Sequence, residues 1–289
     1  MTRPDLSIII VNWKVKNFLK KCLDSILVYQ NNYKIEIFVV DNNSQDGSVE
    51  MIKNDYSEVK LIALDKNIGF GAANNLALKQ ASSDYIFLLN PDTEITKDFF
   101  TKILQYTKNN PNIDIVGPKI INDDGNKQAS VRRNPDLFSQ ILVLLKLTNI
   151  SGANKFLDHY FFKDFNYNKE QSVDQIMGAA MFIKKSVFDK IGTFDEKFFV
   201  WFEEVDLCKR ARQAGIAIKY FPVARIVHHG GRSFSKSNTL KKQMVFNKSL
   251  LYYFSKHKPF IQTLLIFLLI PINIILTLSY VLFRKAKTE

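Results

Sequence analysis

Cysteine is scarce in this chain of 289 residues, which contains only Cys22 and Cys208. Each lies in a stretch with helical periodicity, and the two are not spaced as a Cys-x-x-Cys pair. Two isolated cysteines provide neither a disulfide framework nor the ligands of a structural zinc site. We therefore expect a protein of a reducing compartment.

The amino-terminal region lacks the long apolar run of a signal peptide. Its first apolar run, Leu6 to Val11, is followed at once by Asn12 and Lys14, whereas the core of a signal peptide needs about 7–15 apolar residues. The bulk of the chain is therefore not expected to cross a membrane.

Acidic residues are in deficit, with 28 Asp and Glu against 40 Lys and Arg and a net charge of +12. Such an excess indicates contact with phosphate groups, on a nucleic acid, on a nucleotide ligand or at a lipid surface. The sequence carries no recognised RNA- or DNA-binding motif, and many of its lysines flank a hydrophobic segment. We therefore expect no nucleic-acid partner.

That hydrophobic segment, Phe260 to Phe283, contains no charged residue and is rich in Leu, Ile and Phe. About 20 such residues can span the hydrocarbon core of a bilayer, so we expect the chain to contact membrane lipid. Pro271 near the midpoint, together with Gln262 and Asn273, leaves open whether the helix crosses the bilayer or lies in one leaflet.

Basic residues are more numerous before this segment than after it. By the positive-inside rule this asymmetry predicts attachment at the cytoplasmic face of the inner membrane. The residues are Lys241, Lys242, Lys248, Lys256 and Lys258 before the segment, and Arg284, Lys285 and Lys287 after it.

Apolar strands alternate with helical stretches in the amino-terminal part of the chain. Strand–helix–strand units of this length form parallel pairs with a right-handed crossover. We therefore predict an α/β fold with a mostly parallel central sheet flanked by helices. The predicted strands are Leu6–Val11, Ile35–Val40, Lys60–Leu64, Tyr85–Leu89 and Ile113–Val116.

Polar residues follow two of these strands, Asp41-Asn42-Asn43-Ser44 after the second and Asn90-Pro91-Asp92 after the fourth. In open α/β sheets, ligands bind at the carboxyl ends of the strands. A carboxylate there can accept a hydrogen bond from a nucleotide base, and one on a rigid turn suits a divalent cation that phosphates also hold. The alternative is two ordinary turns whose side chains cap the next helix.

A third loop, Asp65 to Asn75, contains glycine and alanine and leads into a helix. Small residues allow the backbone to approach a ligand closely, and a helix amino terminus favours anions. The loop lacks the spacing of a phosphate-binding P-loop.

Three later stretches complete an ordered series. Gln175 to Ile183 contains a small-residue turn before an apolar strand, Trp201 to Arg210 carries Glu203-Glu204, and His228 to Ser233 contains two glycines. The two glutamates could simply be the acidic first turn of a helix, which its dipole favours. Together with Asp41-Asn42-Asn43-Ser44, Asn67-Ile68-Gly69-Phe70 and Asn90-Pro91-Asp92, however, the series resembles the family 2 glycosyltransferases. Within that family it is most similar to the rhamnosyltransferase-like branch of bacterial surface-polysaccharide synthesis, over residues 6 to about 235.

The resemblance implies a GT-A fold, the fold of nucleotide-diphospho-sugar transferases. It also implies an inverting transfer of a sugar, such as the deoxyhexose rhamnose, from a nucleoside diphosphate sugar to a glycan or polyprenyl-linked acceptor. Glu204 then matches the catalytic base, Asp41 the base-contacting aspartate, and Asp92 with His228 the ligands of Mg²⁺ or Mn²⁺. Asn90 stands where the family's Asp-x-Asp motif has its first carboxylate. Glu203-Glu204 occupies the family's Glu-Asp position, so the base would be Glu204 instead of an aspartate.

Further residues are expected to bind the substrates. They are Asn42, Asn67, Gly69, Asn74, Asn90, Met177, Gly178, Ala179, Glu203, Arg232 and Ser233.

The predicted organisation is a catalytic domain over 1–235, a basic linker helix over 236–258, and a membrane-associated segment with a basic tail over 259–289. Within the domain, 1–118 would bind the nucleotide sugar and 119–235 would face the acceptor. An alternative function is a catalytically silent scaffold that binds sugar nucleotides in a polysaccharide assembly complex.

Overall fold

The computed structural model describes residues 3–148, 154–230 and 239–286. Its first half alternates strands and helices as the sequence predicts. The elements are β1 (Leu6–Asn12), α1 (Lys16–Tyr29), β2 (Ile35–Asp41), α2 (Ser48–Asp55), β3 (Val59–Ala63), α3 (Phe70–Leu78), β4 (Tyr85–Leu89), β5 (Thr93–Ile95), α4 (Phe99–Asn109) and β6 (Ile115–Ile121).

The second half contains shorter strands and ends in two long helices. Its elements are β7 (Val131–Arg132), α5 (Leu137–Leu144), α6 (Asn154–Tyr160), β8 (Gln171–Ser172), β9 (Gln175–Ile176), β10 (Ala180–Lys184), α7 (Lys185–Ile191), α8 (Glu203–Gln213), β11 (Ile218–His228), α9 (Thr239–His257) and α10 (Phe260–Ala286).

The central sheet has the strand order β3-β2-β1-β4-β10-β6-β11-β5, with β8 paired to β11. The pairs β2–β3, β1–β2, β1–β4 and β6–β11 are parallel, so the predicted parallel sheet is confirmed for this part of the fold. β10 runs antiparallel to β4 and β6. It follows a turn at the carboxyl end of β4, where the Asn90 N–H donates to the Ala179 carbonyl at 2.9 Å, and so it enters the sheet from that edge.

The bounds of four predicted strands agree with the observed ones to within one residue, but those of β6 do not. β6 was predicted over Ile113–Val116, before Gly117-Pro118, yet it runs from Ile115 to Ile121. β10 pairs with β6 only at Ile115 and Val116, so Pro118 occupies a position without a neighbour on that side. A proline is tolerated at such a position because no ladder hydrogen bond requires its missing N–H.

The core occupies both faces of the sheet because successive strand residues point to opposite sides. On β1, Ile8 and Ile10 pack with α1 and α4 on one side, while Ile9 faces α3, α7 and α8 on the other. Every residue of β1 is buried. This two-sided cover explains the continuous apolar runs that identified the strands.

The two carboxyl-terminal helices add a third apolar cluster beside α8. Leu250, Tyr253 and Phe254 of α9 pack with Phe198, Phe202 and Val205, together with Leu144 and Ile266. α10 is long and apolar enough to cross a membrane over Phe260–Leu282, and only 17% of its most apolar window is buried.

Candidate functional site

A cavity of about 450 Å³ opens at the carboxyl ends of the parallel strands. Stretches far apart in the sequence line it, as expected for a ligand site of an open α/β sheet. Most of the predicted site residues lie on its wall. They are Asn42, Asn67, Gly69, Asn90, Asp92, Met177, Gly178, Ala179, Glu203, Glu204 and His228.

Asp92 and His228 form one part of the cavity wall. The turn after β4 leads into a strand and not into a helix, because Thr93 begins β5. β5 pairs antiparallel with the end of β11, so Thr93 lies opposite His228. This pairing brings His228 Nε2 to 3.2 Å from Asp92 Oδ1. Both side chains are nearly inaccessible to solvent.

Gln128 orients the His228 ring. Its Oε1 accepts a hydrogen bond from Nδ1 of His228 at 2.7 Å, so a neutral ring carries its lone pair on Nε2. Nε2 is buried and makes no hydrogen bond among the described residues. When two atoms bind one divalent cation at about 2.1 Å each, and the two bonds form a right angle, the atoms lie about 3 Å apart. The Asp92–His228 pair therefore fits a cation whose remaining ligands come from elsewhere.

Another part of the cavity wall holds Glu203 and Glu204, in the first turn of α8. The two residues before them, Trp201 and Phe202, have left-handed backbone conformations with φ of 66° and 69°. Such conformations are rare for large residues, and here they turn the chain so that α8 begins at the cavity wall. Oε2 of each glutamate is buried and makes no hydrogen bond within the described residues.

Burial raises the pKa of both glutamates. The pKa of Glu203 is raised well above its ordinary value by desolvation and then by the charge of Glu204. Desolvation also raises the pKa of Glu204, but nearby backbone N–H groups, including that of Gly178, and the Arg132 guanidinium oppose the shift. The pKa of Glu203 is therefore raised more strongly, and Glu204 is the glutamate that ionises more readily.

The turn Met177-Gly178-Ala179 contacts both of these parts of the wall. On one side the Ala179 carbonyl accepts a hydrogen bond from the Asn90 N–H. On the other side Gly178 lies against Glu204, because a Cβ at Gly178 would sit 3.5 Å from the Glu204 Cβ. A short backbone segment therefore separates the acidic pair from the Asn90–Asp92 turn.

The loop before α3 contacts the segment before α8. Asn42 holds this loop, since its Oδ1 accepts from the Ile68 N–H at 2.9 Å and its Nδ2 donates to the Gly69 carbonyl at 3.1 Å. The Phe70 N–H then donates to the Phe199 carbonyl at 2.8 Å. Gly69 has φ of +93°, and a Cβ there would meet the Phe199 carbonyl oxygen at 2.4 Å. Glycine is therefore required by both conformation and space.

Two of the predicted residues that the structure describes, Asp41 and Asn74, are not on the cavity wall. The Asp41 carboxylate is buried, accepting from Asn12 Nδ2 at 2.8 Å and from the Ser44 N–H at 2.9 Å, so it shapes the turn next to the cavity. Asn74 is buried within α3, where its Nδ2 donates to the Phe70 carbonyl. Arg232 and Ser233 lie outside the described residues.

Several residues of the site were not predicted from the sequence. Gln128 and Arg132 come from a stretch that contains no predicted site residue, and no local sequence pattern distinguishes them from ordinary surface residues. The aromatic wall was also missed, although the density of aromatic residues near Trp201 was a usable signal. Its members are Trp13, Phe70, Tyr160, Phe199, Trp201, Phe202 and Phe246.

Helix α9 fixes the turn that presents the two glutamates. Ser249 Oγ donates to the Val200 carbonyl at 2.9 Å, and the rings of Phe246 and Tyr253 lie 5.6 and 5.5 Å from that of Phe202. Phe246 also lines the cavity itself. The cavity wall thus includes part of the carboxyl-terminal helix pair.

A charged cluster joins α9 to α8. The buried Asp206 carboxylate accepts from His257 Nε2 at 2.7 Å and lies 2.8 Å from Lys256 Nζ and from Arg210 Nε. Asp206 and Arg210 are four residues apart, so their contact is an ion pair along one face of α8. The surrounding donors lower the Asp206 pKa to about 2 against the opposing effect of burial, so this carboxylate is ionised at neutral pH.

Comparison with known proteins gives a family and a fold. The sequence model of glycosyl transferase family 2 matches residues 7–192. The chain is 26% identical over 210 residues to an N-acetylglucosaminyl-diphospho-decaprenol L-rhamnosyltransferase of Mycobacterium tuberculosis, covering 69% of this chain and 68% of that protein. It is 28% identical over 239 residues to the rhamnosyltransferase WbbL of Escherichia coli, covering 78% and 85%.

A solved structure supports the GT-A fold. The crystal structure of GalNAc-T7 with UDP, GalNAc and Mn²⁺ aligns with a TM-score of 0.59 over 86% of this chain and 48% of that chain, at 16% identity. At this identity the likeness establishes the fold alone. The predicted α/β fold of the GT-A type, with antiparallel strands added to its parallel part, is confirmed.

Proposed function

Because the chain belongs to glycosyl transferase family 2, we propose that it transfers a sugar, with inversion at the anomeric carbon, from a nucleoside diphosphate sugar to an acceptor hydroxyl. The observation that supports this proposal most strongly is the shared cavity wall. Asp92 and His228 line the same cavity as Glu204, and the Met177–Ala179 turn contacts both the Asn90 N–H and Glu204. The sugar is proposed to lie between them, because in an inverting displacement the leaving group and the attacking hydroxyl are on opposite sides of the sugar.

Glu204 is the proposed catalytic base. As the acceptor oxygen bonds to the anomeric carbon, the bond from that carbon to the diphosphate oxygen breaks, and the hydroxyl proton passes to the Glu204 carboxylate. Its Oε2 makes no hydrogen bond among the described residues, so it is available to receive the proton. The raised pKa improves Glu204 as a base near neutral pH, since general bases work best when their pKa is near that of the medium.

Glu203 is proposed to support Glu204 as a neutral neighbour. A second carboxylate charge in this buried position would oppose ionisation of Glu204. With its proton retained, Glu203 can donate a hydrogen bond to a bound substrate, for which its buried Oε2 has no competing partner within the described residues.

Asp92 and His228 are proposed to hold Mg²⁺ or Mn²⁺. Such an ion would supply Lewis-acid stabilisation of the negative charge on the departing diphosphate. The support from this chain is the buried Nε2 lone pair facing a carboxylate oxygen at 3.2 Å. Asn90 leaves Asp92 as the one carboxylate of its turn, so the bound diphosphate is expected to contribute ligands.

The proposed donor sugar is a deoxyhexose such as rhamnose, and the proposed acceptor is a glycan or polyprenyl-linked sugar. The names of the rhamnosyltransferase relatives support the donor, and the decaprenol acceptor in the name of the mycobacterial relative supports the acceptor. The aromatic wall is compatible with both, because aromatic rings pack against the apolar faces of sugars and lipid chains.

The test compares Glu204→Gln with the matched variant Glu203→Gln. A panel of nucleoside diphosphate sugars is first screened for binding by thermal shift, and transfer is then followed by nucleoside diphosphate release and by the anomeric configuration of the product. We expect Glu204→Gln to lose about 10²–10⁴-fold in turnover with donor binding preserved, and Glu203→Gln to remain within about tenfold of the parent.

Full turnover in Glu204→Gln would refute the assignment of the base. Donor binding without any turnover by the unmodified protein, against every acceptor offered, would instead favour the scaffold function.

A further inference from the structure

Helix α10 presents two very different faces. A narrow stripe formed by Ile266, Asn273 and Thr277 is completely buried against the protein. The opposite side exposes large apolar side chains, and exposed apolar faces of this extent are uncommon on soluble proteins. The exposed residues are Phe260, Ile261, Leu265, Phe267, Leu268, Ile272, Ile275, Leu278 and Leu282.

The buried stripe is held by hydrogen bonds at the middle of α10. Asn247 of α9 donates through Nδ2 to Asn273 Oδ1 at 2.9 Å, and Asn273 Nδ2 donates to the Leu144 carbonyl at the end of α5 at 2.6 Å. Thr277 Oγ1 donates to the Asn273 carbonyl at 2.8 Å. Breaking this contact would leave buried amide groups without partners, so the middle of α10 stays on the protein.

These hydrogen bonds connect the middle of α10 to charged groups. Gln243 Nε2 donates to Asn247 Oδ1 at 2.9 Å, and Lys146 Nζ donates to Gln243 Oε1 at 3.4 Å. Lys248, next to Asn247, is exposed, as is Lys241. If α10 crossed a bilayer, its middle would lie at the centre of the hydrocarbon and would take these lysines with it. Charged side chains are disfavoured there.

We propose that α10 lies along one leaflet of a membrane with its exposed apolar face in the lipid, and that it does not cross the bilayer. A leaflet fits both faces: the hydrocarbon covers the apolar side, while the hydrogen-bonded stripe stays on the protein. The exposed Lys241 and Lys248 of α9, with Arg284 and Lys285 in the sequence that follows, suit the negative surface of a membrane.

This arrangement has a consequence for the cavity. Phe246, which lines the cavity, is adjacent to Asn247, which holds α10. A helix seated in the leaflet thus keeps one wall of the cavity close to the membrane surface. Resting on the proposed function, this places the site within reach of a lipid-linked acceptor.

The test uses single-cysteine labelling, and it does not depend on activity. Cys22 and Cys208 are buried and fully inaccessible, so an introduced thiol is the main accessible one. Ser255→Cys marks the exposed side of α9, and Thr288→Cys marks the tail beyond the described residues. Sealed membrane vesicles from cells producing either variant are treated with a membrane-impermeant maleimide, with and without detergent.

We expect both positions to be labelled to the same fraction before detergent is added, because both lie on one side of the membrane. Labelling of one position only before detergent, with the other requiring detergent, would overturn the proposal and establish a full span. Recovery of the protein in the soluble fraction after a salt wash would overturn lipid seating altogether. Neither result bears on sugar transfer, which the purified protein in detergent reports separately.

Discussion

Replacement of Gly69 by alanine tests the contact between the loop before α3 and the segment before α8. Gly69 has φ of +93°, and the added Cβ would meet the Phe199 carbonyl oxygen at 2.4 Å and the Phe199 Cα at 3.0 Å. The left-handed backbone alone costs an alanine about 1–2 kcal/mol. Moving the Phe199 backbone also disrupts the Phe70–Phe199 hydrogen bond, which contributes about 0.5–1.5 kcal/mol. We expect a total loss of about 1.5–3.5 kcal/mol in the free energy of unfolding.

Gly192 provides the matched control. Its φ is +77°, but nothing lies within 4 Å of the position that a Cβ would occupy. Gly192→Ala therefore carries only the conformational cost of about 1–2 kcal/mol. The difference between the two variants isolates the steric contact with Phe199.

The two variants should also differ in function. Phe199 lies four residues before Glu203, so a displaced segment moves the glutamates relative to the substrate. A shift of about 1 Å can cost about 10²-fold in rate. Urea unfolding measures the stability of both variants, and kcat/KM measured on the folded protein gives the effect on function. Equal stability losses with kcat/KM unchanged in Gly69→Ala would refute the role of this contact.

Three further outcomes follow from the same geometry. As pH falls, kcat/KM should decline at a pH above the ordinary titration range of a glutamate, because only ionised Glu204 can accept a proton and burial raises its pKa. If the acid limb of this pH profile moved to lower pH in Glu203→Gln, Glu203 would instead be charged in the working protein. His228→Asn should weaken Mn²⁺ binding, measured by calorimetry, about tenfold or more. The same change at the exposed His159 should leave the Mn²⁺ affinity unchanged, and equal affinities in the two variants would exclude His228 as a ligand of the ion. For Asp206, a folded pKa of about 2 against about 3.9 unfolded gives about 2–3 kcal/mol of stability. Since the folded pKa is lowered, this stability is present above pH 4 and is lost as pH falls towards 2. Asp206→Asn should therefore be destabilised at pH 7, and its stability should depend less on acid pH. Urea unfolding at pH 7 that is the same in Asp206→Asn and the parent would contradict this.

Local patterns were sufficient to predict the first half of the fold. The apolar runs of β1 and β4 are buried on both faces, and the polar turns after β2 and β4 lie at the edge where the cavity opens. The period of the side chains and the rule that ligands bind at strand ends carry this information within short windows.

Long-range pairing could not be predicted in the same way. His228 reaches Asp92 because β5 pairs with β11 across more than a hundred residues, and no periodicity in either segment specifies that partner. The antiparallel entry of β10 between β4 and β6 is likewise fixed by tertiary contacts. Asp92 and His228 were identified as candidate metal ligands through a resemblance to a family. Gln128, which orients His228, has no local signal in the sequence.

Helix α9 shows why the site extends beyond the matched region of the family, which ends at residue 192. The sequence suggested a basic linker helix, because its lysines dominate the pattern. In the structure the opposite face of α9 supplies Phe246 to the cavity and Ser249 to the turn before Glu203. Its last residues, Lys256 and His257, contact the carboxylate of Asp206, which lies on α8 one turn from the glutamates. The position of the proposed base therefore depends on a helix that also packs against α10.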